Sequence, residues 1–268
     1  RGRGTGVADD TLSKGARGGV RAEREEVDAT RDGFEAFGQR VEEVPIGRTA
    51  GSSVGVASVA GKQQRSNRTT DGGCGAVLTA FAETIRPHCV EAVDTGESLL
   101  ETVRAEFTES IAVALAPTTG ASFTSELKRT VVAEAETRRA EATAFDRALD
   151  REMSQLDDAN EVVNGITDWL RRAEEPPASA IEFDALKLRH ETLEDHRSRC
   201  DALARRRQAF LEEATNNGVK AGIRHRQLMP HLYDALPVDH PVLATAAQLD
   251  SACKAYQRAV RDQLIRRD

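Results

Sequence analysis

From about residue 122 to residue 174, apolar side chains return in a three-and-four rhythm with no proline inside the run. Leu149, Leu156, Val163 and Leu170 hold the a positions of a heptad, and Val131, Phe145, Ala159 and Ile166 hold d positions, with Arg138 and Glu152 interrupting the d row. At 1.5 Å per residue such a helix extends roughly 75 Å, more than a compact domain can cover by itself. A partner helix is required. Asn164 and Gly165 offer a place to kink, but the a and d phase continues across them, so one helix is expected.

The partner follows at once. "EEPPAS" (174–179) ends the run, Ser179 and Glu182 have the spacing of a capping box, and a second heptad helix is expected over about 180–215. In it Leu186, Leu193, Cys200 and Ala214 fall at a, Leu203 and Phe210 at d, and Arg207 is a polar interruption of the seam. Two heptad helices joined by a short Pro-Pro turn read as an antiparallel coiled-coil hairpin. The expected fold class is all-α, a long hairpin with shorter packed helices and a disordered Gly/Ser-rich linker. The seam that would carry packing and interaction is Leu149, Leu156, Val163, Leu170, Leu193, Leu203 and Phe210.

The rest of the chain divides around this hairpin. Residues 1–19 are Gly-rich and polar and read as a disordered N-terminus. Residues 20–44 form a heptad helix with Val20, Val27, Phe34 and Val41 at a and Phe37 and Val44 at d, stopped by Pro45. Residues 45–75, rich in Gly, Ser and Thr, read as a flexible linker, and 76–268 as a helical domain that holds the hairpin at about 122–215. Within it, short amphipathic helices are expected from Ala76 to Pro87, over about 97–115 and over about 219–235. A last helix opens at Pro241, capped by Asp239 or His240, with Val242, Ala246, Leu249, Cys253, Tyr256 and Val260 along one buried face.

Composition narrows the classes of function. Hydrophobic residues are 39% of the 268 and aromatics 4%, thin for one globular core, while 30% charge fits long amphipathic helices. The net charge of -7 disfavours a nucleic-acid binder, because phosphate contacts need clustered Lys and Arg. Four scattered cysteines with no CxxC pair indicate neither a disulfide framework nor a zinc ribbon, and no apolar run approaches the roughly 20 residues of a membrane helix. The expected location is therefore cytoplasmic, with no membrane. The chain begins at Arg1 rather than Met, which leaves open that a longer protein contains it.

The segments "AFAETIRPHCVEAVDTGESLLETVRAEFTESIAVAL" (80–115), "HETLEDHRSRCDALARRRQAFL" (190–211) and "LPVDHPVLATAAQLDSACKAYQRAVRDQL" (236–264) resemble a family of uncharacterised helical, coiled-coil-rich proteins of halophilic archaea. "RAEREEVDATRDGFEAFGQRVEEVP" (21–45) looks like the leading helix of the same family. Members often carry an aromatic-acidic string after the Pro-His of the first segment, where this chain has "PHCVEAVDTGE" without Tyr. The composition agrees with the resemblance: only 6 of 37 basic residues are Lys, and Asp and Glu outnumber both, as in salt-adapted proteins. The resemblance implies helices and carries over no activity or functional residue.

Candidate chemistry is sparse, and each candidate has a plainer use. His196 and Cys200 share a helical face, with His190 nearby, as metal ligands would, yet they fall on the d and a seam where packing is the favoured role. His88 and Cys89 could pair a base with a thiol, but adjacent residues point apart. Asp239 and His240 sit between prolines at a helix start, where capping is the favoured use. "GKQ" (61–63) lacks the glycine and the Ser or Thr of a phosphate loop. The Arg runs at 205–207, 224–226 and 266–267 are interleaved with or close to acids and lack stacking aromatics, so solvated faces are the default. The expectation is a non-enzymatic structural or protein-interaction scaffold without catalytic, cofactor or metal residues, acting through self-association or a protein partner. The alternative is a regulatory nucleic-acid-associated protein that uses the Arg clusters.

Overall fold

A computed structural model describes residues 15–46, 72–89, 98–173, 175, 178–218 and 232–266. Among them the α-helices are α1 (Arg17–Glu43), α2 (Gly72–Thr84), α3 (Leu99–Glu106), α4 (Glu109–Leu115), α5 (Ser125–Ala173), α6 (Phe183–Gly218) and α7 (Pro241–Ile265). Single 3-10 turns stand at Arg86–His88, Pro117–Thr119 and Ala178–Ala180, and no strand occurs among the described residues. The fold is all-α, as the heptads require, and α5 is unbroken through Asn164 and Gly165. The chain divides into two compact units, Glu26–Ala144 and the described residues of Arg1–Glu25 with Phe145–Asp268.

In the second of these, three antiparallel pairings follow from where side chains meet. The start of α1 lies along α5, with Arg17 2.6 Å from Asp157 and Arg24 2.6 Å from Asp150 and 3.0 Å from Asp146. α5 and α6 form the hairpin: the Arg189 guanidinium donates to the Ala173 carbonyl at 2.8 Å, the Trp169 and His196 rings meet at 4.8 Å, and Glu152 meets Arg207. α7 then runs back along α6, where Arg197 donates to Asp250 at 2.9 Å and Arg189 to the Tyr256 hydroxyl at 2.8 Å. Leu149, Leu156, Val163, Ile166, Leu186, Leu193, Val242, Leu249, Cys253 and Val260 are buried among these helices.

In the unit Glu26–Ala144 the packing centres on four phenylalanines. Phe37, Phe81 and Phe107 have ring centroids 5.5 to 5.9 Å apart, and Phe34 stands 6.0 Å from Phe107, the spacing of tilted and edge-to-face aromatic contacts. α1 closes its C-terminus on a cation: the Lys128 ammonium of α5 donates to the carbonyls of Glu42 and Val44, groups that the helix leaves without partners. Close approach explains two glycines. A Cβ on Gly33 would stand 2.6 Å from the Thr84 carbonyl, and one on Gly73 2.5 Å from the Phe123 Cβ.

Several elements differ from the sequence expectation. The helix expected over 97–115 is two helices, because Thr108 turns extended and its hydroxyl accepts from the Ile111 amide at 3.4 Å, which starts α4. The break takes Phe107 out of the helix and puts its ring among the other three. Ser98 caps α3 in a true capping box with Glu101, a signal present in "SLLE". The helix after the Pro-Pro turn starts at Phe183 rather than at about 180: Ser179 sits in a 3-10 turn, Ile181 is buried, and the Glu182 carbonyl accepts from Leu186 at the start of α6.

At the N-terminus, helix begins at Arg17 rather than Val20, inside the stretch expected to be disordered. Of the expected linker, Gly72 to Gly75 already belong to α2 and residues 47–71 lie outside the described residues, as do 1–14. Residues 219–231 of the expected 219–235 helix also lie outside them.

Phe107→Ala is expected to cost about 3–5 kcal/mol, as loss of a buried aromatic does, whereas Val113→Ala, 47% exposed, should stay within about 0.5 kcal/mol. Guanidinium unfolding of both variants, followed by circular dichroism, checks the contrast.

Candidate functional site

The seam residues sit as follows. Leu149, Leu156, Val163, Leu170, Leu193 and Leu203 are buried, and Phe210 is half-buried with the Arg207 guanidinium 5.2 Å from its ring centroid. The polar interruptions of that seam have partners within the chain. Arg138 pairs with Glu134 at 3.3 Å and Glu141 at 3.0 Å on its own helix. Glu152 and Arg207 pair with each other across the hairpin.

That pair is the most concentrated polar chemistry among the described residues. Glu152 is 0% exposed, Tyr233 1% and Arg207 2%. The two terminal nitrogens of Arg207 donate to the two carboxylate oxygens of Glu152 at 2.8 and 2.7 Å, a bidentate fork, and the Tyr233 hydroxyl donates a third hydrogen bond to Glu152 Oε1. Burial works against the Arg207 charge, but the bonds and charge of Glu152 more than offset it and hold its pKa above the usual value. Burial, reinforced by the Glu152 charge, pushes the Tyr233 phenol up, so the hydroxyl keeps its proton and remains a donor. Glu152 and Arg207 are visible in the sequence as polar residues on an apolar seam. Tyr233 carries no such signal, because its part of the chain has no long periodicity.

The candidate metal group does not assemble. His196 packs edge-on against Trp169, its Nδ1 lies 3.5 Å from Arg199, and its buried Nε2 has no protein partner. His190 is half-buried, and its carbonyl accepts from Gln257 at 3.5 Å. Among the described residues no three His, Cys, Asp or Glu side chains are placed to hold a metal ion. The thiols are protected: burial first, then Asp250, pushes Cys200 up to about 11, and burial with Cys200 and Asp250 pushes Cys253 up to about 12. Such groups are the reverse of activated nucleophiles, which have depressed pKa values.

The remaining candidates separate in the same way. Cys89, also raised to about 12 by burial and by Glu106, donates to that carboxylate at 3.3 Å, and His88 is exposed. Asp239 and His240 are exposed, and His240 takes the N-cap position of α7 with its carbonyl accepting from Ala244 but no capping bond from its ring. Of the Arg run 205–207, Arg205 and Arg206 are exposed and Arg207 is inside; 224–226 and Arg267 lie outside the described residues. A small open groove of about 160 Å³ between α1 and α5, floored by Phe34, Val132 and Ala135, falls short of the roughly 300 Å³ at which ligand pockets begin. No described helix is long and apolar enough to cross a membrane.

Two predictions follow from this geometry. Glu152→Gln leaves the Arg207 charge buried and unpaired and should cost about 3–5 kcal/mol, while the apolar double replacement Glu152→Leu with Arg207→Met should recover most of that loss; a double-mutant cycle by chemical denaturation measures it. For His196, burial and then the Arg199 charge lower the pKa, opposed by Asp195. The folded state thus binds this proton less readily than the unfolded chain, so stability is complete above about pH 6.5 and declines as pH falls below it. His196→Gln should flatten that acid limb between pH 7.5 and 5 in a series of thermal midpoints.

Comparison with known proteins adds a family to this architecture. No curated protein and no solved structure matches the chain. A family model described as a domain of unknown function (DUF7260) matches residues 11–257. With a match over nearly the whole length, the chain belongs to the DUF7260 family.

Proposed function

We propose that this DUF7260 chain is a non-enzymatic structural or protein-interaction scaffold of the cytoplasm that works through the outward faces of its coiled-coil helices. The observation that carries the reading is where reactive and seam-forming groups have gone. The thiols of Cys200 and Cys253 and the ring of His196 serve as packing, and the Glu152 and Arg207 interruptions satisfy each other. What the helices offer outward is mixed charge, such as Asp201, Arg205 and Arg206 on α6 and Arg258, Arg261 and Asp262 on α7. Such surfaces recognise other proteins by charge complementarity and register rather than by chemistry. The Lys-poor, acidic composition and the likeness to helical proteins of halophilic archaea support a reading in which the partner, or a second copy, is met in a salt-rich cytoplasm.

Nucleic-acid association through the Arg clusters is the weaker reading, since Arg207, the last of the 205–207 run, is committed to Glu152. Light scattering with absorbance ratio on the chain purified at molar salt from a halophilic host tests both. The expected result is a defined protein assembly, either an integral multiple of 29.1 kDa or the chain with a stoichiometric protein partner, free of nucleic-acid absorbance. A lone 29.1 kDa monomer up to high concentration, or co-purifying nucleic acid released by salt, would overturn the scaffold reading.

A further inference from the structure

The segment Leu232 to Leu236 crosses a corner where the start of α1 meets the hairpin. Leu232 and Tyr233 are buried, and the Leu236 amide donates to the Tyr233 carbonyl at 2.8 Å, so the segment turns back on itself at that point. It touches both sides of the corner. Toward the hairpin, the Tyr233 hydroxyl donates to the buried Glu152 carboxylate. Toward α1, the Leu232 carbonyl stands 3.0 Å from where a Cβ on Gly19 would be, and the Leu236 side chain 2.6 Å from where one on Gly15 would be. Glycine at 15 and 19 lets the backbone of α1 lie against this segment, and Ala16 and Val20 beside them are fully buried.

Ion pairs of Arg17 and Arg24 with Asp146, Asp150 and Asp157 also tie the start of α1 to α5, but they are mostly part-exposed, and such pairs contribute little. Tyr233, in contrast, donates to a carboxylate that water does not reach, and withdrawing it would leave one lone pair of a buried anion without its donor.

We propose that Leu232 to Leu236 is a strap, fastened by Tyr233 to Glu152, that holds the first turns of α1 against the hairpin. Its release is a local opening, separate from unfolding of the α6 and α7 pair, that uncovers Ala16 and Val20 and makes the seating of the N-terminal helix depend on the C-terminal part of the chain. The device works whether or not the protein is a scaffold.

Hydrogen exchange read by mass spectrometry on the full chain tests it with two variants, one on each side of the strap. Tyr233→Phe keeps the ring and removes the hydroxyl. It should speed exchange of the 17–25 and 232–236 amides by roughly tenfold or more, as loss of a hydrogen bond to a buried charge implies, with 186–207 and 242–260 unchanged within about twofold. Gly19→Ala pushes on the Leu232 carbonyl from the other side and should speed exchange in the same two segments while Glu152 and Tyr233 remain intact. The proposal is overturned if 17–25 keeps its protection in both variants, or if either one accelerates exchange uniformly through α6 and α7.

Discussion

A 49-residue helix with an apolar stripe along its length is insoluble unless other helices cover the stripe, and the arrangement of this protein follows from covering α5. No single neighbour does it. Within the unit Glu26–Ala144 the end of α1 lies along the beginning of α5, fixed where Lys128 meets the last carbonyls of α1. From Phe145 onward α6 and the start of α1 take over, and α7 covers α6 in turn. The short helices α2, α3 and α4 exist to finish the first of these covers, and their strongest shared feature is the phenylalanine cluster that Phe37, Phe81 and Phe107 build together.

Helix pairs held by leucines alone can slip by a heptad at small cost, and the buried ion pair makes slipping costly. In the observed register Glu152 faces Arg207. One heptad earlier on α6 stands Cys200, and one heptad later Ala214, neither of which can pair a carboxylate. A slip would therefore bury an unpaired charge at each of two positions. The pair adds little net stability over an apolar contact of the same size, since removing both charges from water offsets their attraction. Its effect is on which register is populated, and Tyr233 extends that selection to the segment that follows α6.

The groups with most intrinsic reactivity are placed where reactivity is suppressed. Three thiols are raised by burial and neighbouring carboxylates, and the His196 ring is pressed against Trp169 with its basicity lowered. Ionisation of any of them would put charge into a helix contact. For Cys200 and His196, positions on the a and d rows account for this: a residue that must face another helix is shielded from substrate as well as from water.

Much of the architecture was legible in the amino-acid order. The ends of α1 and α5 and the start of α7 follow from apolar periodicity together with Pro45, the Pro-Pro turn and Pro241, because covalent geometry and burial act locally at those points. Even in α7 the limits show. Tyr256 reads as a core position, yet it is half-buried with its hydroxyl on the Ala173 carbonyl, while Gln257 is inside because Arg197 and the His190 carbonyl satisfy its amide. Likewise Gly15 and Gly19 read as disorder, though Leu232 and Leu236 lie against them. Helix length, polarity and pairing direction are thus properties of the sequence itself, since they depend on neighbours three, four and seven residues away. Which polar group meets which, from Glu152 with Arg207 and Tyr233 to the break that admits Phe107, was decided only by the tertiary structure, because those partners stand dozens of residues apart and burial alone brings them together.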